Sequence, residues 1–162
     1  QATGDYVYTI FFGEPDDPAV DPGLELQYNA EEDVYRITHW GYDVDFAFTC
    51  DKATNVVNVP SQFTGYTHSS YGEVFVAEAD DVISKDPIGS SYYDPETLTF
   101  HFHVAYIVSA GSFGKGEETF TLTPAQARRL GLSKKEQMPK ANTSLSVKAY
   151  RHKKFNRTFV AE

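Results

Sequence analysis

From Thr97 to Ser109 the chain reads T-L-T-F-H-F-H-V-A-Y-I-V-S. Leu98, Phe100, Phe102, Val104, Tyr106 and Val108 share one parity, so an extended backbone sets all six on a single apolar face. The other parity carries Thr97, Thr99, His101 and His103, then turns apolar at Ala105 and Ile107. No other segment keeps a two-residue period for so long, which predicts a central strand. It also holds the chain's single His-x-His.

The rest of the chain offers partners for that strand. Tyr6, Tyr8, Ile10 and Phe12 share a face over residues 5–12, and Leu24, Leu26 and Tyr28 resume the period after a loop predicted at 13–23 by its prolines and glycines. Strands are predicted at 34–42, 44–50 and 56–59, with turns at 29–33 and 51–55. Pro60 marks an edge or a bulge. Residues 60–72 read as an aromatic-rich loop, 73–78 as a short strand, 80–94 as a long connection, 111–116 as a glycine-rich link and 118–123 as a further strand.

Tyr (11) and Phe (12) against one Met suit pleated, half-buried surfaces. The expected fold is mainly β: an antiparallel meander of about eight strands closing as an up-and-down barrel or a sandwich.

The period changes after residue 123. Thr123 as N-cap, Pro124 at the first helical position and Gln126 as the capping-box partner predict a short helix. Arg128 and Arg129 fall in its last turn, and Gly131 ends it. Ser133 with Glu136 offers a second short start, and 145–149 and 155–160 hold strand-like faces. Residues 1–123 are thus expected to form the β-domain, with 124–162 as a basic extension packed on it. The net charge of −9 hides this division. Residues 1–120 hold 21 acidic and 4 basic side chains, and residues 121–162 hold 2 and 10. The acidic body opposes nucleic acid by long-range repulsion.

At 162 residues, one domain can bury its own core. The lone Cys50 excludes an internal disulfide and is expected to be a buried thiol. No transmembrane run or signal peptide is visible; a leader removed before Gln1 is compatible with the sequence.

Few patterns point to chemistry. His101 and His103 lie on one face, but zinc needs three or four ligands, and His39, His68 and His152 stand in no fixed relation to them. A solvated or hydrogen-bonded outer face is expected there, with no metal. G-S-F-G-K-G lacks the ending of a phosphate loop and precedes a strand, so it reads as a turn or bulge, and no cofactor is expected. Neither a calcium loop nor a nucleophile elbow appears, and no catalytic residues are assigned.

Rings are the remaining signal. In 34–42, Tyr35, Ile37 and His39 alternate with Arg36, Thr38 and Trp40; if the first set faces the core, the chain's one Trp faces outward. Trp40, Tyr42, Tyr66 and Tyr71, with His68, form the candidate binding set. Flat rings on a rigid sheet stack on the apolar face of a sugar, while neighbouring polar groups bond its hydroxyls. The rival role is a lid, in which the 60–72 loop folds these rings over one barrel end.

The runs ITHWGYDVDFAFTCDKATNVVNVPSQFTGYTHSSYGEVFVAEAD and SYYDPETLTFHFHVAYIVSAGSFGKGEETFTLT, with GYTHSSYG, SYYDPET and VSAGSFG as their most distinctive phrases, resemble uncharacterised domains of secreted or lipid-anchored surface proteins of Bacteroidetes, often associated with glycan-uptake systems. The likeness spans about residues 5–123. It implies export to the cell surface or periplasm, a β fold and a non-catalytic role, and transfers no functional residue. A glycan or a partner protein is the expected ligand, and a removed lipid anchor the only expected membrane contact. The alternatives are an assembly module using the charge asymmetry, and a hydrolase or metal enzyme.

Overall fold

The computed structural model describes residues 2–132. Its strands are β1 (Ala2–Tyr8), β2 (Ala19–Asn29), β3 (Val34–Trp40), β4 (Val44–Asp51), β5 (Val56–Asn58), β6 (Gln62–His68), β7 (Gly72–Glu78), β8 (Ser91–Asp94), β9 (Thr99–Val108) and β10 (Gly111–Leu122). Two short helices join them, α1 (Ala79–Val82) and α2 (Pro124–Arg129). Strands β1-β2-β3-β4-β5-β8-β9-β10 pair in that order, antiparallel throughout, and the β10–β1 ladder closes them into an eight-stranded barrel. Closure removes the exposed strand edges that an open sheet would leave.

The Thr97–Ser109 stretch takes the central place its period predicts. Phe100, Phe102, Val104 and Tyr106 are fully buried inside the barrel. One edge of β9 is shared by two neighbours: Thr99–His101 pair with β8, and Val104–Ile107 pair with β7. The β6–β7 hairpin is therefore a flap of sheet that departs from the barrel wall where β8 ends. Glu78 sits at this fork, buried, and its carboxylate accepts from the Val59 and Ser91 amides at 3.1 and 2.7 Å and from the Ser91 hydroxyl. On the outer side of β9, Ala105 is covered by Ala79 and Ile83.

The flap also docks on β4, through a side chain. The Gln62 amide oxygen accepts from Ala47 N–H at 2.7 Å, and its nitrogen donates to the Ala47 carbonyl at 2.8 Å. Gln62 thus does for Ala47 what a neighbouring strand would do.

Both ends of the barrel are closed among the described residues. At one, Ile10, Phe11 and Phe12 fold over the interior, all buried. At the other lies α2, with Ala127 and Leu132 in the core. Thr123 and Pro124 start that helix as expected, although the Thr123 hydroxyl makes no capping bond. It ends in a Schellman motif: Leu132 N–H donates to Ala127 O and Gly131 N–H to Arg128 O, each at 3.0 Å, with Gly131 at φ 70°. The second helix start, the strand-like faces after 145 and most of the basic extension lie outside the described residues.

Several boundaries move. The proline-rich loop is shorter than expected, because β2 begins at Ala19 and carries Pro22 and Gly23 through a bulge opposite Asp5. A missing ladder donor is tolerated at such a point. Residues 62–68 are strand, not loop, and Ser91–Asp94 pair with both β5 and β9 inside what read as a connection. The glycine-rich link is the first half of β10, and its bulge falls between Ser112 and Gly114.

Candidate functional site

Tyr42, Tyr66, His68 and Tyr71 come together at the barrel end closed by Ile10–Phe12. Their rings form a continuous strip, with centroids 5.0 Å apart for Tyr42–Tyr66, 6.5 Å for Tyr66–His68 and 5.0 Å for His68–Tyr71. Beneath lies a buried aromatic support. Phe12 stacks on Tyr42 at 6.0 Å, Phe11 meets Tyr66 at 5.7 Å, and Phe113 meets His68 at 5.3 Å and Tyr71 at 5.9 Å. Tyr42 is 43% exposed and Tyr71 37%, while Tyr66 and His68 are half-buried between them. The rings are not coplanar: the interplanar angles are 67° for Tyr42–Tyr66, 85° for Tyr66–His68 and 40° for His68–Tyr71.

Local backbone features hold the strip in place. β6 bulges between Phe63 and Thr67, and Gly65 sits there at φ 89°. A Cβ on Gly65 would meet the Tyr42 carbonyl oxygen at 2.7 Å, so only glycine lets β6 approach Tyr42 this closely. The contact is fixed by Tyr42 N–H donating to Thr64 O at 3.1 Å. In the following turn, His68 Nδ1 accepts from the Ser70 and Tyr71 amides at 3.0 and 3.3 Å. Nδ1 therefore carries no proton, and Nε2 is the nitrogen able to donate.

Trp40 does not belong to this surface, and the expectation that it faces outward is overturned. It is fully buried and stacked on Phe46 at 4.5 Å. The cause is a bulge in β3: His39 adopts φ 59°, and the ladder to β4 shifts register between Ile37 and Trp40. One extra residue reverses the alternation. His39, expected on the core side, is exposed instead and pairs with Asp43 at 2.6 Å. The rings do lie over that barrel end, packed on Phe11, Phe12 and Phe113, but Tyr66 and His68 reach it from a strand and not from a loop.

A second polar group lies on the outer face of β9 and β10. Glu117 stands opposite His103, and its two oxygens lie 2.9 Å from His101 Nδ1 and 2.9 Å from His103 Nε2. Tyr92 stacks on His101 at 4.5 Å, and the other nitrogen of His103 lies 3.1 Å from Gly89 O. Burial raises the Glu117 carboxyl, and the hydrogen bonds and charges of the two histidines outweigh it, holding it below its ordinary value. This is the hydrogen-bonded outer face expected of the His pair. Among the described residues, no group of three His, Cys, Asp or Glu side chains is arranged to hold a metal ion.

Inside the barrel, sequence reasoning missed a polar centre. Glu118 is fully buried; its Oε1 accepts from the hydroxyls of Tyr6 and Tyr106, and its Oε2 from the amides of Thr9 and Ile10. Burial raises its carboxyl, and those four donors offset part of the rise. Glu118 shares the parity of Phe120 and Leu122, so the signal was an acid on an inward face. The cluster is sealed from solvent and pins Thr9 and Ile10, where the chain turns over the barrel end.

The fold defines the class: an eight-stranded antiparallel barrel with a filled interior and an aromatic strip at one closed end. No family model, no curated protein and no solved structure matches the chain.

Proposed function

We propose that this chain is a non-catalytic binding module of the exported cell surface, and that it binds a glycan on the Tyr42–Tyr66–His68–Tyr71 strip. The observation that carries the reading is that four rings from two separate segments meet in one supported row, with Tyr42 and Tyr71 each more than a third exposed. A pyranose presents a face of C–H groups, and burial of that face against an aromatic ring combines hydrophobic and quadrupolar attraction. The hydroxyls around the sugar's rim find polar partners in the exposed Thr67, Ser69, Ser70 and Asp43. The resemblance to Bacteroidetes surface domains supports both the location and the ligand class.

Affinity gels cast with a panel of polysaccharides test the proposal. At least one should retard the protein, and Tyr42→Ala with Tyr71→Ala should abolish that retardation while the melting temperature holds. Unchanged mobility in every gel would remove the reading.

A further inference from the structure

Residues 83–90, between α1 and β8, cross the outer face of β9 as a strap. Ile83 packs with Ala79 over Ala105, and Ile88 and Ile107 lie against that cluster. Two side chains of the barrel wall hold the strap by its backbone carbonyls. Lys115 of β10, which stands opposite Ala105, donates to Lys85 O and Asp86 O. His103 of β9 sets its Nδ1 3.1 Å from Gly89 O. Within the segment, the Asp80 carboxylate accepts from the Ile88 and Gly89 amides at 3.0 and 2.9 Å.

His103 lies between two acceptors, and their chemistry sets how many protons its ring needs. A carbonyl oxygen only accepts, so Nδ1 must carry a proton to bond Gly89 O. Nε2 lies 2.9 Å from Glu117 Oε1, and the Glu117 carboxyl is held below its ordinary value, so this oxygen accepts as well. Both contacts are hydrogen bonds only when both ring nitrogens are protonated. A neutral ring has one N–H for the two oxygens, and its other nitrogen turns a lone pair on Gly89 O or on Glu117. His101 differs: one N–H, at Nδ1, satisfies its contact with Glu117 Oε2.

The other charged and titratable groups around His103 stand differently. Tyr92 of β8 meets its ring edge-on at 5.8 Å, and the buried Glu78 reaches the His103 amide through the Ser91 hydroxyl. Lys115, Lys85, Asp86 and Asp80 act on the strap itself. Imidazole is the side chain that ordinarily changes charge between about pH 5 and 8. Partial burial raises Tyr92 and Glu117 is held low, which moves both further from that window.

We propose that residues 83–90 form a pH-sensitive strap, latched to β9 while His103 carries both ring protons and unlatched when it loses one. The latch is present in acid and is lost as pH rises through the imidazole range. Lys115 keeps its hold on Lys85 and Asp86 in both states. Opening is therefore confined to the Ile88–Gly89 end, where Ile88 lifts from Ala79, Ile83 and Ala105.

The test follows the full chain by NMR from about pH 5.5 to about pH 8.5. In acid the His103 ring should show both nitrogens protonated, and at the alkaline end one. Over the same range the protection of the Ile88 and Gly89 amides, each measured against its unstructured exchange rate at that pH, should fall about tenfold. The Val104 and Tyr106 amides, on the stretch of β9 that pairs with β7 and β10, should keep theirs. Glu117→Gln is the discriminating variant. Its carboxamide donates to Nε2 while Nδ1–H still bonds Gly89 O, so a neutral ring serves both contacts and the strap stays protected at every pH. His103→Phe keeps a flat ring without donors and should lose the protection at every pH. A His103 ring with a single proton throughout, or strap protection that ignores pH, overturns the proposal. Glu117→Gln with the parent's pH dependence also overturns it, because the pair of acceptors would then not be the cause. Should His103→Phe fail to fold, Glu117→Gln, at an exposed position, still decides the matter.

Discussion

Tyr6 and Tyr106 reach the same oxygen of Glu118, at 2.8 and 2.7 Å, from the two strands that flank it. One acid thereby ties β1, β10 and β9 together in the interior. Its other oxygen holds the two amides from which Ile10, Phe11 and Phe12 fold over the barrel end. Those residues support the aromatic strip, so a sealed carboxylate and an exposed surface are mechanically joined.

Removing this acid should be costly. Glu118→Ala leaves four buried donors without an acceptor and is expected to lower stability by about 3–5 kcal/mol in urea denaturation. Tyr6→Phe and Tyr106→Phe each delete one donor to a charged acceptor, at about 1.5–3 kcal/mol. Because both hydroxyls share Oε1, their effects should not add, and a double-mutant cycle reads the coupling directly. Strict additivity would mean that the two bonds act separately.

Glu117 and Glu118 are adjacent in sequence and should respond to pH in opposite senses. Burial raises Glu118 above its unfolded value, so the folded chain holds that proton longer. Its contribution is fully present below the ordinary carboxylate range and is lost as pH rises towards the raised value. Glu117 is depressed, because the hydrogen bonds and charges of His101 and His103 outweigh its burial. Its contribution is present above the ordinary range and disappears as pH falls through the lowered value. Thermal melts across pH should therefore show Glu118→Gln flattening the loss of stability as pH rises above the ordinary carboxylate range, and Glu117→Gln flattening the loss as pH falls below it. Identical profiles for the two variants would contradict these assignments.

Alternation made the barrel legible, and breaks in alternation hid its details. Phe100 to Tyr106, the hairpin turns and the start of α2 follow rules that act over a few residues. Trp40 failed because His39 takes a left-handed backbone, which shifts parity without any glycine to announce it. Strand β8 failed because four residues carry too short a period to stand out, and they pair with distant segments on both sides. The strip was half legible. Tyr42, Tyr66, His68 and Tyr71 stood out as rings that strand parity did not explain. That Phe11, Phe12 and Phe113 lie beneath them is a property of closure, which no local pattern records.

The Gln62 bridge offers a test of the flap. Gln62→Ala strips Ala47 of both partners on that side and should cost about 1–3 kcal/mol. Gln62→Glu keeps the acceptor but turns a carboxylate oxygen towards the Ala47 and Pro60 carbonyls, so it should cost at least as much. Hydrogen exchange at the Ala47 amide should accelerate in both variants while β9 amides stay protected. Global acceleration would show that the flap and the barrel unfold as one unit.

Gly65 allows the strip to be disturbed without touching a ring. Its φ of 89° and its approach to the Tyr42 carbonyl leave no place for a methyl group. Gly65→Ala should strain the β6 bulge by about 1–3 kcal/mol and push Tyr42 away from Tyr66. Trp40 provides the internal control, since it lies buried beneath the surface and its fluorescence reports the core. Its emission should be blue-shifted and resistant to acrylamide in the parent chain and in Gly65→Ala alike, while glycan retardation weakens in the variant. Equal loss of Trp40 protection would mean that Gly65 holds the whole barrel. Full retention of binding would mean that the spacing of Tyr42 and Tyr66 does not matter to the ligand.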